Sequence, residues 1–189
     1  MKTLKLIAMS TLCALVISAN DPATAVPPAT DRVGFPTNYQ SKFRLLSVAA
    51  RDKEPAIMTV YGNDLAASVT RTDQLPYPNG SIIVMEFANT QADSAHQPIR
   101  DAKGELQRGE VVHVDVMRRG EGFGAAYGDN RAGEWEFMSY RPDGSYNEPP
   151  ATAVNCAACH AKAGPAKDFV YRLRVPHDAP SQASRTGAQ

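Results

Sequence analysis

The feature that most constrains this chain is the segment Cys156-Ala157-Ala158-Cys159-His160, which has the spacing C-x-x-C-H. On a helix, two thiols at this spacing can each add to one vinyl group of a haem, and the adjacent histidine can bind the iron. Covalent attachment and axial ligation then come from consecutive residues. The motif therefore predicts one haem c, attached through Cys156 and Cys159, with His160 as the metal ligand.

Three other uses of a cysteine pair compete with this prediction. A structural zinc site needs four ligands, and neither His113 nor His177 has the paired spacing of a zinc module. A thioredoxin-like dithiol follows a strand near the start of an alternating strand and helix pattern, whereas this pair lies near the C-terminus. A disulfide across two residues closes a strained loop and leaves the histidine unexplained. The motif favours haem attachment over all three.

The first 25 residues have the pattern of a secretory signal peptide. Lys2 and Lys5 precede an apolar run from Leu6 to Ala19, and Ala23-Thr24-Ala25 has the small residues of a cleavage site, with cleavage at the end of the run as the alternative. The run is shorter than the about 20 residues of a membrane-spanning helix, so no membrane anchor is expected. We therefore expect export to the periplasm, which agrees with a haem attached after export.

Charge and length limit the partners and the number of domains. The chain has 20 Lys and Arg residues against 20 Asp and Glu residues, so its formal net charge is zero. Because a balanced chain lacks the positive field that holds a polyanion, no nucleic acid is expected as a partner. The length suits one domain. We expect a signal peptide over 1–25, an extended leader over 26–37, a haem domain over 38–176 and a mobile tail over 177–189.

Alternating apolar residues predict a sheet. The segments that alternate or are rich in β-branched residues are Ala56–Tyr61, Ser81–Phe87, Val111–Arg118, Glu134–Tyr140 and Asp168–Val175. Asn63 is placed to cap a short helix from Asp64 to Thr70, residues 39–50 fit either a helix or a strand, and 88–109 are predicted as a loop. The fold class is therefore mainly β with short helices (α+β): an antiparallel sheet that carries a covalently bound haem, with the attachment motif near the C-terminus.

Several short motifs occur in an order that resembles a known family. They are Phe35-Pro36-x-x-Tyr39, Thr59-Val60-Tyr61-Gly62-Asn63, Tyr77-Pro78-Asn79-Gly80-Ser81-x-x-Val84-x-Glu86, Gly133-Glu134-Trp135-x-Phe137, the C-x-x-C-H segment and Asp168-Phe169-Val170-Tyr171. Together they are similar to the cytochrome P-460 and cytochrome c′-beta family. The resemblance implies an antiparallel β fold, often a homodimer, in the periplasm, with a five-coordinate haem that binds small nitrogen ligands. One branch oxidises hydroxylamine, and the other binds nitric oxide and related gases.

Three positions depart from the hydroxylamine-oxidising branch. The resemblance places Met85 where that branch has a lysine cross-linked to the haem, and Met58 where it has an arginine. The distal acid of that branch aligns with His113 or Val114, one or two positions from Asp115. Whether this chain has an equivalent acid is therefore left undecided by the resemblance. Because a thioether cannot form the nitrogen-to-carbon bond of the lysine, these departures favour the gas-binding branch.

Several side chains have two roles open to them. Met58 and Met85 either line an apolar pocket beside the haem or bind the iron as a sixth ligand. Glu86 and Asp115 are the candidate catalytic acids, and a structural ion pair is the alternative for Glu86. His113 and His177 are either distal bases or ordinary hydrogen-bonded or solvated side chains. Phe87, Trp135 and Phe137 either line the pocket or pack in the core.

Two functions follow from these residues. The first is a periplasmic cytochrome that binds nitric oxide or another small gaseous or nitrogenous ligand, or passes single electrons to a redox partner protein. The second is an enzyme that oxidises hydroxylamine or removes nitric oxide or peroxide, using an acid to move protons. The sequence favours the first, because an apolar pocket accepts neutral diatomic molecules while it offers anions no donor.

Overall fold

The computed structural model describes residues 28–172, and the predicted signal peptide, the predicted tail and His177 lie outside the described residues. Five strands form one antiparallel sheet in which each strand pairs with its neighbours in sequence. They are β1 (Arg44–Arg51), β2 (Ala56–Gly62), β3 (Ile82–Thr90), β4 (Arg108–Arg119) and β5 (Trp135–Tyr140). This confirms the predicted mainly β fold with an antiparallel sheet.

The helices are short. They are α1 (Tyr39–Lys42), α2 (Asp64–Ser68) and α3 (Ala153–Ala161), with 3₁₀ turns at Thr72–Gln74, Ala125–Asn130, Pro150–Thr152 and Pro165–Lys167. Within residues 28–172, none of them has the length and hydropathy to cross a bilayer. The C-x-x-C-H segment lies on α3, as the motif requires.

Helix α2 begins at the predicted cap. The Asn63 side-chain oxygen accepts hydrogen bonds from the amides of Ala66 at 3.0 Å and Ile82 at 3.1 Å. The side-chain nitrogen of Asn63 donates to the carbonyl of Gly80 at 2.8 Å. Capping of this kind stabilises a helix by about 1 kcal/mol. Asn63 therefore starts α2 and also joins it to the first residue of β3, although the helix ends two residues before the predicted Thr70.

The prediction of a loop over 88–109 was wrong at both ends of that segment. Strand β3 continues to Thr90 and β4 starts at Arg108, and two isolated bridges, Ala92 with Pro98 and Arg100 with Leu106, lie between them. The side chain of Asp101 accepts hydrogen bonds from backbone amides in the turn of this hairpin. Most side chains in the segment are exposed on both faces, so it lacks the apolar alternation from which strands are predicted.

The prediction of a strand over Asp168–Val175 was also wrong for the described residues. Residues 168–172 form turns, and Asp168 and Phe169 have φ angles of 46° and 61°. These values lie in the left-handed region and are incompatible with extended backbone. Residues 39–50, which fitted either element, contain both: α1 followed by β1.

Both faces of the sheet carry packed segments, although β1 at the edge stays largely exposed. On one, here called the α3 face, α3 packs against a buried cluster that includes Ile83, Met117 and Phe137. The opposite face, here called the N-terminal face, is covered by the segment that leads into α1 and carries the cluster Val33, Tyr39, Val84, Val114, Val116, Met138 and Tyr140. Because side chains alternate along a strand, consecutive residues of β3 and β4 serve different faces.

The segment before α1 is tied to the N-terminal face. Val33 is buried, and the hydroxyl of Tyr140 donates to the Asp31 carboxylate at 2.6 Å. The guanidinium of Arg32 donates through Nε to the buried Glu136 carboxylate at 3.0 Å. Residues 28–37 contain no helix or strand, yet these contacts hold the segment against β5.

Candidate functional site

A cavity of about 420 Å³ lies between α3 and the α3 face of the sheet. Each of the five strands contributes to its wall, and the lining is mostly apolar. The α3 motif contributes both cysteines and the histidine, so the structure brings Cys156, Cys159 and His160 to one cavity. The turn after α3 lines the same cavity with Val170, Tyr171 and Arg172.

Local sequence explains how α3 presents its cysteines. Pro150 occupies the first turn before the helix, where its missing N–H costs nothing. Ala153 and Ala157 are buried and allow the helix to pack closely on its neighbours. Residues three and four apart share a helix face, so Cys156, Cys159 and His160 point to one side. Both thiols are free, Cys156 half-buried and Cys159 exposed.

The environment of Cys156 disfavours thiolate chemistry. Burial raises the pKa of the Cys156 thiol to about 11, and the negative charge of Asp115 adds to the shift. Redox dithiols and zinc-bound cysteines depend on a lowered thiol pKa. Within residues 28–172, no three His, Cys, Asp or Glu side chains form a group that could hold a metal ion. Cys156 therefore lacks the lowered pKa that a reactive redox thiol needs.

His160 is oriented by the main chain of the following turn. Its Nδ1 lies 2.7 Å from the carbonyl oxygen of Phe169. Because a carbonyl can only accept, Nδ1 carries the proton and Nε2 keeps a free lone pair. The ring centroid lies 4.7 Å from that of Phe137 and 5.5 Å from that of Tyr171. Burial lowers the pKa of His160, which favours the neutral imidazole that a metal requires.

Met85 and Asp115 are neighbours in the cavity wall. The register pairs Met85 of β3 with Val60 on one side and with Asp115 on the other. All three line the cavity. The negative charge of Asp115 raises the pKa of Cys156 and opposes the effect of burial, which lowers the pKa of His160. Asp115 therefore lies near both side chains of the motif. Met58 pairs with Phe87, further along the strands, and lies outside the lining.

Glu86 lies on the other side of the sheet from the cavity. Its carboxylate is fully buried on the N-terminal face and accepts hydrogen bonds from the Tyr39 hydroxyl and the Gln40 amide, both at 2.6 Å. It also pairs with the guanidinium of Arg108. Burial, followed by the hydrogen bond to Glu86, raises the pKa of Tyr39 well above its usual range. This geometry fits the structural ion pair rather than a catalytic acid.

The remaining candidates divide between the cavity and the core. Phe137 lines the cavity, whereas Trp135 is fully buried and its indole Nε1 donates to the Asp168 carbonyl at 2.9 Å. His113 stacks on Phe87 with ring centroids 4.4 Å apart, and neither ring is part of the lining. His113 Nε2 lies 3.7 Å from the Asp115 carboxylate.

The turn after α3 supplies site residues that the sequence did not reveal. The carbonyl of Phe169 orients His160, and the hydroxyl of Tyr171 donates to the Cys159 carbonyl at 2.8 Å. Arg172 donates to the carbonyl of Val69 at 2.7 Å, which ties the turn to the end of α2. A main-chain carbonyl has no residue signature, so no pattern in the sequence identifies the Phe169 contact.

The residues of this site fit a covalently attached haem. Two thiols lie on one helix face at an apolar cavity, and the histidine beside them is neutral with a free Nε2. A hydrogen bond from the other ring nitrogen to a carbonyl is the usual support of a metal-bound histidine. Cys156, Cys159 and His160 are therefore the residues that would hold such a group.

Comparison with known protein families identifies the family of this chain. The family model described as Cytochrome P460 matches residues 36–172. The matched range is more than half of the chain, and it includes all five strands and the whole of α3. No curated protein matches the chain.

Proposed function

Because this chain belongs to the cytochrome P460 family and is therefore a c-type haem protein, we propose that it is a periplasmic monohaem cytochrome. In this proposal Cys156 and Cys159 form the two thioether bonds and His160 binds the iron. The haem supplies an iron atom at which a small molecule can bind and single electrons can pass. The observation that carries the proposal is the 2.7 Å contact of His160 Nδ1 with the Phe169 carbonyl, which leaves Nε2 free beside both thiols.

The proposed ligand is nitric oxide or another small neutral molecule. Val60, Ile83 and Met85 give the sheet side of the cavity an apolar surface. The Asp115 carboxylate beside them repels anions and has no donor for them. The guanidinium of Arg172, which also lines the cavity, donates to the carbonyls of Ala66 and Val69. Neutral ligands are therefore favoured over anionic ones such as nitrite. Single-electron exchange with a redox partner protein is compatible with the same site.

An enzymatic function is the second candidate, and the position of Asp115 supports it. Its carboxylate is the acid of the cavity wall and is suited to moving protons during hydroxylamine oxidation or the removal of nitric oxide or peroxide. Met85 stands beside it, where the hydroxylamine-oxidising branch is expected to have a lysine. Without that lysine no haem cross-link can form there, so ligand binding remains the preferred function.

Substituting Met85 with leucine is expected to leave the spectrum of the ferrous protein unchanged. The two side chains have similar volumes, so an apolar pocket tolerates the exchange. The absorbance spectrum is recorded with and without nitric oxide, and we expect five-coordinate ferrous iron that binds nitric oxide in both proteins. The matched control is Met58→Leu, which alters the same face outside the cavity lining.

Two results would count against this reading. A six-coordinate ferrous spectrum that is lost only in Met85→Leu would make Met85 an iron ligand and the protein chiefly an electron carrier. Turnover of hydroxylamine by the wild-type protein, abolished by Asp115→Asn, would establish the enzymatic alternative.

We also propose that the protein is a homodimer that forms through the free edge of β1. Within residues 28–172 this strand pairs only with β2, so its other edge has unpaired backbone groups. Leu45 and Val48 are 60% and 58% exposed, and the charged residues of the strand, Arg44 and Arg51, are at its ends. An edge strand without a central charge favours pairing with a second copy, and two identical antiparallel edges satisfy each other by twofold symmetry.

Substituting Val48 with lysine is expected to convert the dimer to a monomer, since it places like charges on both copies of the edge. Sedimentation velocity measures the change. Val112→Lys is the matched control, because Val112 is 47% exposed on the interior strand β4. A monomeric wild-type protein, or a Val48→Lys protein that stays dimeric, would refute the proposed interface.

A further inference from the structure

We infer that Asp168 is a positioning residue for His160, because it fixes the turn whose carbonyl orients the imidazole of His160. This inference rests on the proposed ligation of iron by His160 and deepens it. Asp168 is 6% exposed and is not among the cavity-lining residues, so it acts on the site through its neighbours.

The turn that orients His160 has an unfavourable backbone. Asp168 and Phe169 are consecutive non-glycine residues with φ angles of 46° and 61°. Left-handed backbone is disfavoured for residues that carry a Cβ, most of all for bulky ones such as phenylalanine. Such a conformation persists only where the surrounding structure holds it. The contacts that hold this turn therefore decide where the Phe169 carbonyl points.

Asp168 is held by both its side chain and its main chain. One carboxylate oxygen accepts the amide of Tyr77 at 2.9 Å and lies 3.3 Å from the Arg119 guanidinium Nε. The main-chain carbonyl of Asp168 accepts a hydrogen bond from the indole N–H of Trp135 at 2.9 Å. Arg119 ends β4 and Trp135 begins β5, so these contacts connect the turn to two adjacent strands.

The ring of Phe169 is confined by the chain beside it. A Cβ on Gly133 would lie 2.7 Å from the Phe169 ring, so only glycine leaves room for it. The amide of Phe169 donates to the Gly164 carbonyl at 3.0 Å. With its amide, its ring and the preceding residue all held, Phe169 presents its carbonyl to His160 Nδ1 in one orientation.

Removing the Asp168 carboxylate is expected to release the turn toward an ordinary backbone conformation and to move the Phe169 carbonyl away from His160. An acceptor on Nδ1 fixes the imidazole and makes its Nε2 more basic. Its loss weakens the bond between His160 and the iron without touching the covalent attachment. Asp168→Asn retains an oxygen for the Tyr77 amide, whereas Asp168→Ala retains none.

The test uses the haem-loaded protein and two readouts of the iron–histidine bond. The first is the iron–histidine stretching frequency of the ferrous form by resonance Raman spectroscopy. The second is the pH at which acid displaces the histidine from iron. We expect Asp168→Ala to lower the frequency and to raise the displacement midpoint by about one pH unit, since loss of such a support weakens a metal bond about tenfold. Asp168→Asn is expected to show a smaller change in both.

A matched control and a second variant keep the inference testable. Asp143→Ala removes an exposed turn carboxylate and is expected to leave both readouts unchanged. If Asp168→Ala does not fold, Trp135→Phe is the second variant. It removes the indole donor to the turn while it keeps an aromatic ring in the core, and it is expected to shift both readouts in the same direction. The inference is overturned if Asp168→Ala, or Trp135→Phe in its place, folds and has the wild-type stretching frequency and the wild-type displacement midpoint. A wild-type protein that is five-coordinate in the ferrous form and shows no iron–histidine band would instead overturn the proposed function.

Discussion

Replacing Cys156 and Cys159 together with alanine is expected to remove all covalently bound haem. Each thioether needs one of these sulfur atoms, and the third cysteine of the chain, Cys13, lies in the predicted signal peptide. The measurement is the intact mass of the denatured protein, together with the haem absorbance that stays with the protein after acid extraction.

Three further variants serve as controls for this result. Cys13→Ala is the matched control and is expected to leave haem attachment unchanged. Each single variant, Cys156→Ala or Cys159→Ala, is expected to retain at most one thioether, and its denatured haem then absorbs with one vinyl group unreacted. Stoichiometric covalent haem in the double variant would show that the attachment assignment is wrong.

Substituting Glu86 with alanine is expected to lower the free energy of unfolding by about 3 kcal/mol, the lower end of the cost of breaking a buried ion pair. The carboxylate is fully buried, and its removal leaves the buried Tyr39 hydroxyl without its acceptor. Gln40 is exposed, so its amide can turn to water. Arg108 is 39% exposed and can turn to water, which keeps the cost at that lower end. Urea unfolding, compared at unchanged m value, measures the loss.

The control for Glu86 is a surface pair of the same chemistry. Arg44 and Asp64 form an ion pair with side chains 68% and 81% exposed, so Asp64→Ala is expected to cost less than about 1 kcal/mol. At temperatures where Glu86→Ala remains folded, its nitric oxide binding is expected to match the wild type. A variant of normal stability with altered ligand binding or turnover would give Glu86 the catalytic role instead.

The sequence predicts most of the sheet because the pattern that marks each strand is local. In β3 and β5, apolar residues occur at intervals that fit one or two buried faces, and Asn63 marks the start of α2 by its own side chain. The hairpin over 88–109 is missed because its side chains are exposed on both faces and bury no alternating set.

The turn at 168–172 is missed for a different reason. The apolar sequence Phe169-Val170-Tyr171 satisfies the composition of a strand, and the left-handed backbone of Asp168 and Phe169 is imposed by contacts with Tyr77, Trp135 and Arg119. Those partners are distant in sequence. Propensity alone therefore cannot identify the conformation.

The sequence predicts the site residues that lie close together on one helix. It does not predict those whose positions depend on how the strands pair. Cys156, Cys159 and His160 share a helix face because of their spacing alone. The positions of Glu86 and Asp115 depend on strand register, and a shift of one residue would exchange the face that each occupies. The register of β3 with β4 places Asp115 beside Met85 in the cavity and Glu86 behind the sheet.

The most direct test of the account is the haem content of the mature wild-type protein, produced in a host that attaches haem c. The measurement combines the intact mass after denaturation with the visible spectrum. We predict one haem per chain that remains bound after denaturation through Cys156 and Cys159, located by mass spectrometry of the peptide that contains them. A colourless protein with the mass of the polypeptide alone would contradict the account.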